Sequence, residues 1–202
     1  LVAAGVPTGA LFQELVVQRD LGVVITLDRG GLGGEDGETH QGRYDTAWAR
    51  RPLASAVRTV IVEGPVRVAA RVVAWPDIRG TDRLADLAAL EDPPALIFTP
   101  NHHSHLDTGL MIRAVPAPWR RRLVVAAAAD YFFDTRWKAA LSALSLNAIP
   151  IDRELTGRRS ADMIRELVDD GYSLVIYPEG GRSPDGWGQP FKGGAAFLSI
   201  RT

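Results

Sequence analysis

The stretch that decides the fold is Ala95–Gly109, which reads ALIFTPNHHSHLDTG. Its first four residues are apolar and prolines flank them on both sides, a pattern typical of a short buried strand. The loop that follows carries three of the four histidines of the chain. Proteins of the α/β class commonly place binding and catalytic groups on such loops. The sequence therefore predicts a candidate site at the end of this strand.

Two side chains of this loop are spaced so that they can form a pair. His102 and Asp107 lie five positions apart, which on one continuous helix would turn them about 140° away from each other. They can meet only if a turn separates a strand end from a helix start. A carboxylate on one ring nitrogen would fix the tautomer and leave the other nitrogen free to act as a general base.

Two other interpretations of the loop stay open at this point. His103, His105 and Asp107 resemble the opening of the metallo-β-lactamase motif, His-x-His-x-Asp-His, and two histidines with a carboxylate can hold zinc. The sixth position is Thr108, however, and the chain has no cysteine and no later histidine. The third interpretation is a polar helix cap with solvated histidines.

Downstream of this loop, short apolar runs alternate with helical patterns. The predicted strands after 95–98 are 123–127, 147–153 and 173–177. The predicted helices are 108–115, 137–146 and a third that has Ser160 as its N-cap and is stopped by Gly171. Strands alternating with helices indicate an α/β fold in layers, with a largely parallel sheet flanked by helices. In such folds, sites lie at the carboxyl ends of the strands.

Length and composition favour a globular protein with one full core. The chain has 202 residues, is 46% hydrophobic and carries a net charge of −1, which gives no case for nucleic acid binding. We predict that 1–48 are the tail of an upstream module plus a glycine-rich linker, of unknown function, and that 49–202 are a C-terminally incomplete domain. Because the chain begins at Leu1 and ends within a helical pattern, we expect a fragment open at both ends.

The segment 52–75 is apolar with dispersed basic residues. Five arginines between Arg50 and Arg71 accompany a single acid, Glu63. We expect Pro65, after Gly64, to break or kink this helix and to start a new one. A basic amphipathic helix pair can lie on an anionic membrane surface, or it can pack on its own domain. No apolar run approaches the roughly 20 residues of a spanning helix.

Two further strand ends carry charged groups. Arg153 follows one predicted strand, and the turn 179–182, Glu-Gly-Gly-Arg, follows another. Arg182 could hold a phosphate bidentately, and the glycines allow close approach of the backbone. We expect Glu179 to pair with an arginine or with a substrate hydroxyl. Taken singly, these groups could also form plain salt bridges and turns.

Four segments, in order, resemble the conserved blocks of the glycerolipid acyltransferases of the lysophosphatidate type. Residues 101–107 match the pattern NHxSxxD, and 149–153 are similar to the second block. Residues 177–183 read YPEGGRS and resemble the third block, usually FPEGTRS; 191–196 resemble the Phe-Lys-x-Gly segment that follows it. The resemblance extends over roughly 52–202.

This resemblance implies a glycerol-3-phosphate acyltransferase-like fold and acyl transfer in phospholipid biosynthesis. The donor would be acyl-coenzyme A or acyl carrier protein, the acceptor a lysophospholipid or glycerol phosphate, and no metal or cofactor would be needed. His102 would be the general base and Asp107 its partner. The residues that would contact substrate are Asn101, Ser104, Arg153, Glu179, Gly180, Gly181 and Arg182.

The resemblance also implies a place in the cell, and this chain departs from the family's pattern at two points. The protein would work at the cytoplasmic face of a membrane, either peripherally or anchored by a segment outside this chain. Gly181 stands where the family usually has Thr, and the family's final Val-Pro-Val block is absent. A metal-dependent hydrolase using His103, His105 and Asp107, and a non-catalytic membrane-binding module, are the alternatives.

Overall fold

A computed structural model describes residues 14–15, 23–26, 45–73, 77–104, 106–151, 158–185 and 187–201. Its strands are β1 (Glu14–Leu15), β2 (Val23–Thr26), β3 (Leu96–Thr99), β4 (Leu123–Ala128), β5 (Ala148–Ile151) and β6 (Ser173–Val175). Its α-helices are α1 (Pro52–Ile61), α2 (Arg67–Val73), α3 (Ala85–Ala88), α4 (Leu106–Ala114), α5 (Ala117–Arg120), α6 (Ala129–Phe132), α7 (Arg136–Leu146), α8 (Arg158–Asp169) and α9 (Gly194–Arg201).

The strands form one sheet in the order β1-β2-β3-β6-β4-β5. Strands β3, β6, β4 and β5 are parallel to one another, and helices flank them. The predicted fold class, α/β with a largely parallel sheet between helices, is therefore confirmed. Strand β2 pairs antiparallel with β3, and β1 pairs antiparallel with β2. Two strands from the segment 1–48 thus extend this sheet, while the division into two modules stays a prediction.

Alternate residues of the central strands are buried on opposite faces of the sheet, because successive side chains of a strand point in opposite directions. Ile97 and Leu174 pack with apolar side chains of α8 and α9. Leu96, Phe98 and Val175 pack on the other face with side chains of α4 and α5. Both faces are covered, which is why these strands are apolar throughout.

Helix α8 departs from its prediction at one end and follows it at the other. It begins at Arg158, so Ser160 lies inside its first turn, fully buried, and is not the predicted N-cap. At the other end Gly171 adopts a φ of 78° and its N–H donates to Val168 O at 2.8 Å. This left-handed glycine stops the helix where the sequence predicted.

The regular α-helix is interrupted at Gly64 and Pro65, where a break or kink was expected, but the chain stays helical from 52 to 73. A single π-turn, Val62–Val66, contains Pro65 and joins α1 to α2. A new helix starting at Pro65 was therefore the wrong prediction: the wider turn accommodates a residue that lacks the N–H of a regular helix. No helix within the described residues has the length and apolarity to cross a bilayer.

The acidic residue of this π-turn forms ion pairs with three arginines. Glu63 lies 3.0 Å from Arg120, 3.8 Å from Arg113 and 3.6 Å from Arg67. Two of these arginines belong to α4 and α5. The ion pairs therefore connect the π-turn to the helices that cover the sheet beside the candidate site.

Candidate active site

The parallel pairing of β3 with β6 brings two loops together at the carboxyl edge of the sheet. Because Phe98 is the partner of Val175, the loops that leave the two strands start side by side. The N–H of Ser183 donates to His102 O at 2.8 Å, and the N–H of His102 donates to Glu179 Oε1 at 3.3 Å. The loops are thus joined in both directions.

His102 and Asp107 meet across the turn between β3 and α4. His102 Nδ1 lies 3.2 Å from Asp107 Oδ2, with side chains that are 16% and 22% exposed. The same carboxylate oxygen accepts the N–H groups of His103 at 2.6 Å and Ser104 at 2.7 Å. Asp107 therefore fixes the backbone of the loop and orients the imidazole at the same time.

The surroundings of His102 favour the neutral imidazole. Burial lowers the pKa of His102 below its ordinary value of 6.5, and the charge of Arg182 lowers it further. The hydrogen bond to Asp107, the charge of Asp107 and that of Glu179 act in the opposite direction without prevailing. With Nδ1 facing the carboxylate, a neutral ring presents an unprotonated Nε2, which is the form that a general base requires.

An aromatic ring lies against this imidazole. The rings of Tyr177 and His102 are stacked, with centroids 4.0 Å apart and planes 23° apart. The Tyr177 hydroxyl is hydrogen-bonded to Thr108 Oγ1 at 2.8 Å. Sequence reasoning did not select Tyr177 or Thr108 as site residues, because their contact joins positions 69 residues apart and no spacing rule indicates it.

The turn after β6 supplies one buried acid. Glu179 is 6% exposed, and its Oε2 has no hydrogen-bond partner among the described residues. The expected pairing with an arginine is not made by any described residue; the partner of Oε1 is instead the His102 N–H. The second carboxylate oxygen is thus a buried acceptor beside the histidine.

Two cations lie at the same turn. Arg182 is exposed and forms no hydrogen bond or ion pair within the described part of the chain. Gly180 has a φ of 69°, and a Cβ built on it would lie 2.9 Å from Cδ, Cε and Nζ of Lys192. The Lys192 side chain therefore lies directly over this glycine. Lys192 belongs to a block noted in the sequence, but no role was assigned to it.

Three other predicted substrate-binding residues lie on the same two loops. Asn101 is exposed, and the Ser104 hydroxyl accepts the N–H of Leu106 at 3.2 Å. A Cβ added to Gly181 would have no atom within 4 Å, so this turn has room for a larger side chain. Arg153 lies outside the described residues, as does His105 of the metal hypothesis. The substrate contacts predicted for Asn101, Ser104, Gly181 and Arg153 stay predictions.

The metal hypothesis concerns the same loop between β3 and α4. No group of three potential metal-ligating side chains lies together within the described residues. His105, which the hypothesis combines with His103 and Asp107, is not among these residues. The metal set therefore also stays a hypothesis.

Comparison with known proteins gives one family and two partial relatives. The family model described as "Acyltransferase" matches residues 79–202. A 1-deoxy-D-xylulose-5-phosphate synthase of Ectopseudomonas mendocina (strain ymp) is 28% identical over 172 residues, which are 84% of this chain and 25% of the relative. A synthase of the same name from a Nitratiruptor species is 55% identical over 31 residues, 15% of this chain and 5% of the relative.

Both matches cover only a part of the relative. The chain spans about a quarter of the length of the first synthase, and the second match is a short segment. No solved structure matches the chain.

Proposed function

The chain belongs to the acyltransferase family, whose model covers residues 79–202, and we propose that it moves a fatty acyl group from a thioester to a glycerolipid hydroxyl. The donor is acyl-coenzyme A or acyl carrier protein, and the acceptor is a lysophospholipid or glycerol phosphate. The observation that carries the proposal is the contact between His102 and Asp107, 3.2 Å apart, beside an exposed Arg182.

The chemistry follows from the orientation of the imidazole. His102 Nε2 takes the proton of the acceptor hydroxyl while its oxygen attacks the thioester carbonyl carbon. The new C–O bond forms, the C–S bond breaks, and the leaving thiolate takes the proton back from the imidazolium. Asp107 stabilises the imidazolium between these steps. Such general-base help is worth roughly 10²–10⁴ in rate.

The groups around the histidine fit an acceptor that carries a phosphate. Arg182 offers a planar pair of donors, and the Lys192 ammonium lies over Gly180 close by. We assign the acceptor phosphate to these two cations. The buried Glu179 Oε2, which lacks a partner among the described residues, would accept a hydrogen bond from an acceptor hydroxyl. The thioester is already activated, so the proposal requires proton removal and positioning rather than a cofactor.

We further propose that the protein works on a membrane surface, because its acceptor is an amphiphile and because α1 and α2 together carry an exposed apolar stripe. Leu53, Val60, Val68 and Val72 are 79%, 71%, 63% and 80% exposed. Val60 and Val68 are eight positions apart, but the π-turn between them adds one residue to a turn, so they differ by only about 20° in helical phase.

Basic residues border this stripe, as an anionic lipid surface requires. Arg51, Arg67 and Arg71 are all exposed. An interfacial helix combines such an apolar face with arginines on its polar side. The proposal places the protein at the cytoplasmic face, held peripherally or by a segment outside this chain. Loss of sedimentation with anionic vesicles in a Leu53→Ser, Val72→Ser variant would support this; unchanged sedimentation would contradict it.

The reaction is tested by thiol release from an acyl thioester with lysophosphatidate as acceptor. The proposal expects release that depends on the acceptor and that persists after chelation. Release without acceptor would indicate a thioesterase. Stoichiometric zinc that is lost together with activity would contradict the proposal and favour the set His103, His105 and Asp107.

A further inference from the structure

We infer that Tyr177 and Thr108 are positioning residues that hold the imidazole plane of His102 for proton transfer. The inference rests on the proposed function, in which His102 is the base. It goes beyond that function because Tyr177 and Thr108 act through His102 and exchange no proton with the substrate. Their contribution is to limit where His102 Nε2 can point.

The bond to Asp107 cannot fix the imidazole alone. Of the three hydrogen bonds that Asp107 Oδ2 accepts, the one from His102 Nδ1 is the longest, at 3.2 Å, against 2.6 and 2.7 Å for the two backbone N–H groups. A single bond at one corner of a ring leaves the ring free to tilt about that corner. The tilt moves Nε2 most, because this atom is on the far side of the ring.

The stacked ring of Tyr177 removes this freedom. A neighbour parallel to within 23° and with its centroid 4.0 Å away leaves no room for the imidazole to tilt toward it. Stacking on Tyr177 constrains the plane of the imidazole, whereas the bond to Asp107 constrains its Nδ1 edge. Together they define the direction of Nε2.

Tyr177 is itself held at two points. Its backbone lies in the turn after β6, where its carbonyl accepts the N–H of Gly180 at 3.0 Å. Its hydroxyl bonds to Thr108, the residue directly after Asp107 on α4. The first turn of α4 therefore anchors both the carboxylate and the stacked ring, and the distance between them is set by one piece of backbone.

The hydroxyl acts as an anchor and not as a second acid or base. Burial raises the pKa of Tyr177 to about 12, so the hydroxyl keeps its proton under ordinary conditions. The related block usually starts with Phe, which supplies the ring without the hydroxyl. In this chain the ring is expected to matter most, and the bond between Tyr177 and Thr108 to add to it.

The test is a set of four variants, assayed for kcat and for both KM values. Tyr177→Phe and Thr108→Val each remove the same hydrogen bond and should each lower kcat by about 2- to 10-fold. The double variant should lose no more than either single one. Tyr177→Leu removes the ring and should lower kcat by about 10- to 100-fold, with both KM values nearly unchanged.

The pH profile separates positioning from a general loss of structure. Burial is the main cause that lowers the pKa of His102 below 6.5, so a variant whose site had opened to water would show an acid limb of kcat/KM moved up toward that value. Leucine keeps an apolar side chain beside the imidazole, so Tyr177→Leu should lower kcat without moving the limb. Tyr177→Phe should leave the limb in place. The matched control is Tyr131→Phe, on an exposed tyrosine of α6, which should change neither quantity.

The outcomes distinguish this inference from the proposed function. If His102→Ala abolishes activity while Tyr177→Leu leaves kcat unchanged, or lowers it only together with a raised acid limb, the inference is overturned and the function stands. If His102→Ala is active, the function itself is overturned. Should Tyr177→Leu fail to fold, the double variant decides, because additive losses from Tyr177→Phe and Thr108→Val would overturn the shared-bond argument.

Discussion

Replacing Asp107 by Asn tests both things that this carboxylate does. One oxygen, Oδ2, accepts hydrogen bonds from His102 Nδ1, His103 N and Ser104 N. Asparagine keeps the shape but removes the charge, and its amide can present either an acceptor or a donor to the imidazole. When the donor faces His102, the ring takes the tautomer whose Nε2 carries the proton, and the base is lost.

The magnitude can be worked from these three bonds. A hydrogen bond to a charged group contributes about 1.5–3 kcal/mol and a neutral one about 0.5–1.5, so with partial exposure we expect Asp107→Asn to lower the free energy of unfolding by about 1–3 kcal/mol. The effect on chemistry should be larger. Loss of the oriented base should reduce kcat by about 100- to 10,000-fold, and Asp107→Asn combined with His102→Ala should cost little more than either change alone.

The assay is kcat/KM for thiol release as a function of pH, with urea unfolding on the same samples. In the unmodified protein the acid limb should lie below 6.5, because the pKa of His102 is lowered. Since Asp107 raises that pKa by its hydrogen bond and its charge, Asp107→Asn should move the limb to still lower pH. Activity within twofold of the unmodified protein, or a limb that moves upward, would refute the reasoning.

Three further substitutions have definite expected results. Gly180→Ala should lower the free energy of unfolding by about 1–2 kcal/mol, measured in urea, because Gly180 has a left-handed φ of 69° that a residue with a Cβ adopts only with strain, whereas the end of the flexible Lys192 side chain can move away. Arg182→Ala should lower kcat/KM for the acceptor by about 30- to 1000-fold, or about 2–4 kcal/mol, with donor KM unchanged. The same change should raise the acid limb, because the charge of Arg182 lowers the pKa of His102. Glu63→Gln should cost about 1–2 kcal/mol of stability, since three arginines lose their acid.

Each of these has a matched control. Gly181→Ala adds a Cβ with no atom within 4 Å on a backbone that is not left-handed, and it should leave stability nearly unchanged; equal losses for both glycines would contradict the argument from the left-handed φ of Gly180. Arg121→Ala removes an exposed arginine before β4 and should not affect acceptor KM. Asp134→Asn breaks an exposed pair with Lys138 at 2.7 Å, and a cost equal to that of the glutamate variant would mean that the π-turn network adds nothing.

The local parts of the fold could be predicted from the sequence. The run Ala95–Phe98 is apolar and lies between Pro94 and Pro100, so its burial follows from composition alone. His102 and Asp107 could be paired because the spacing demands a turn, and a turn must occur between a strand and a helix. These features depend on residues close together along the chain.

The parts that were missed or wrong depend on distant contacts or on local competition between interactions. The stacking of Tyr177 on His102 arises only once β3 and β6 pair. The position of Lys192 over Gly180 arises only once the chain turns back, where the N–H of Lys192 donates to Pro178 O at 2.7 Å. Pro65 was expected to start a new helix, but attachment of the neighbouring Glu63 to α4 and α5 stabilises a π-turn in its place. Periodicity within one segment contains no information about such partners.

The most direct test of the central claim is identification of the acylated product. The protein is incubated with an isotopically labelled acyl thioester and lysophosphatidate, and lipids are analysed by mass spectrometry with thiol release measured in parallel. Our account predicts labelled diacyl product equal in amount to the released thiol, and none above background with His102→Ala. Labelled free fatty acid in place of the lipid product, or equal product from His102→Ala, would contradict it.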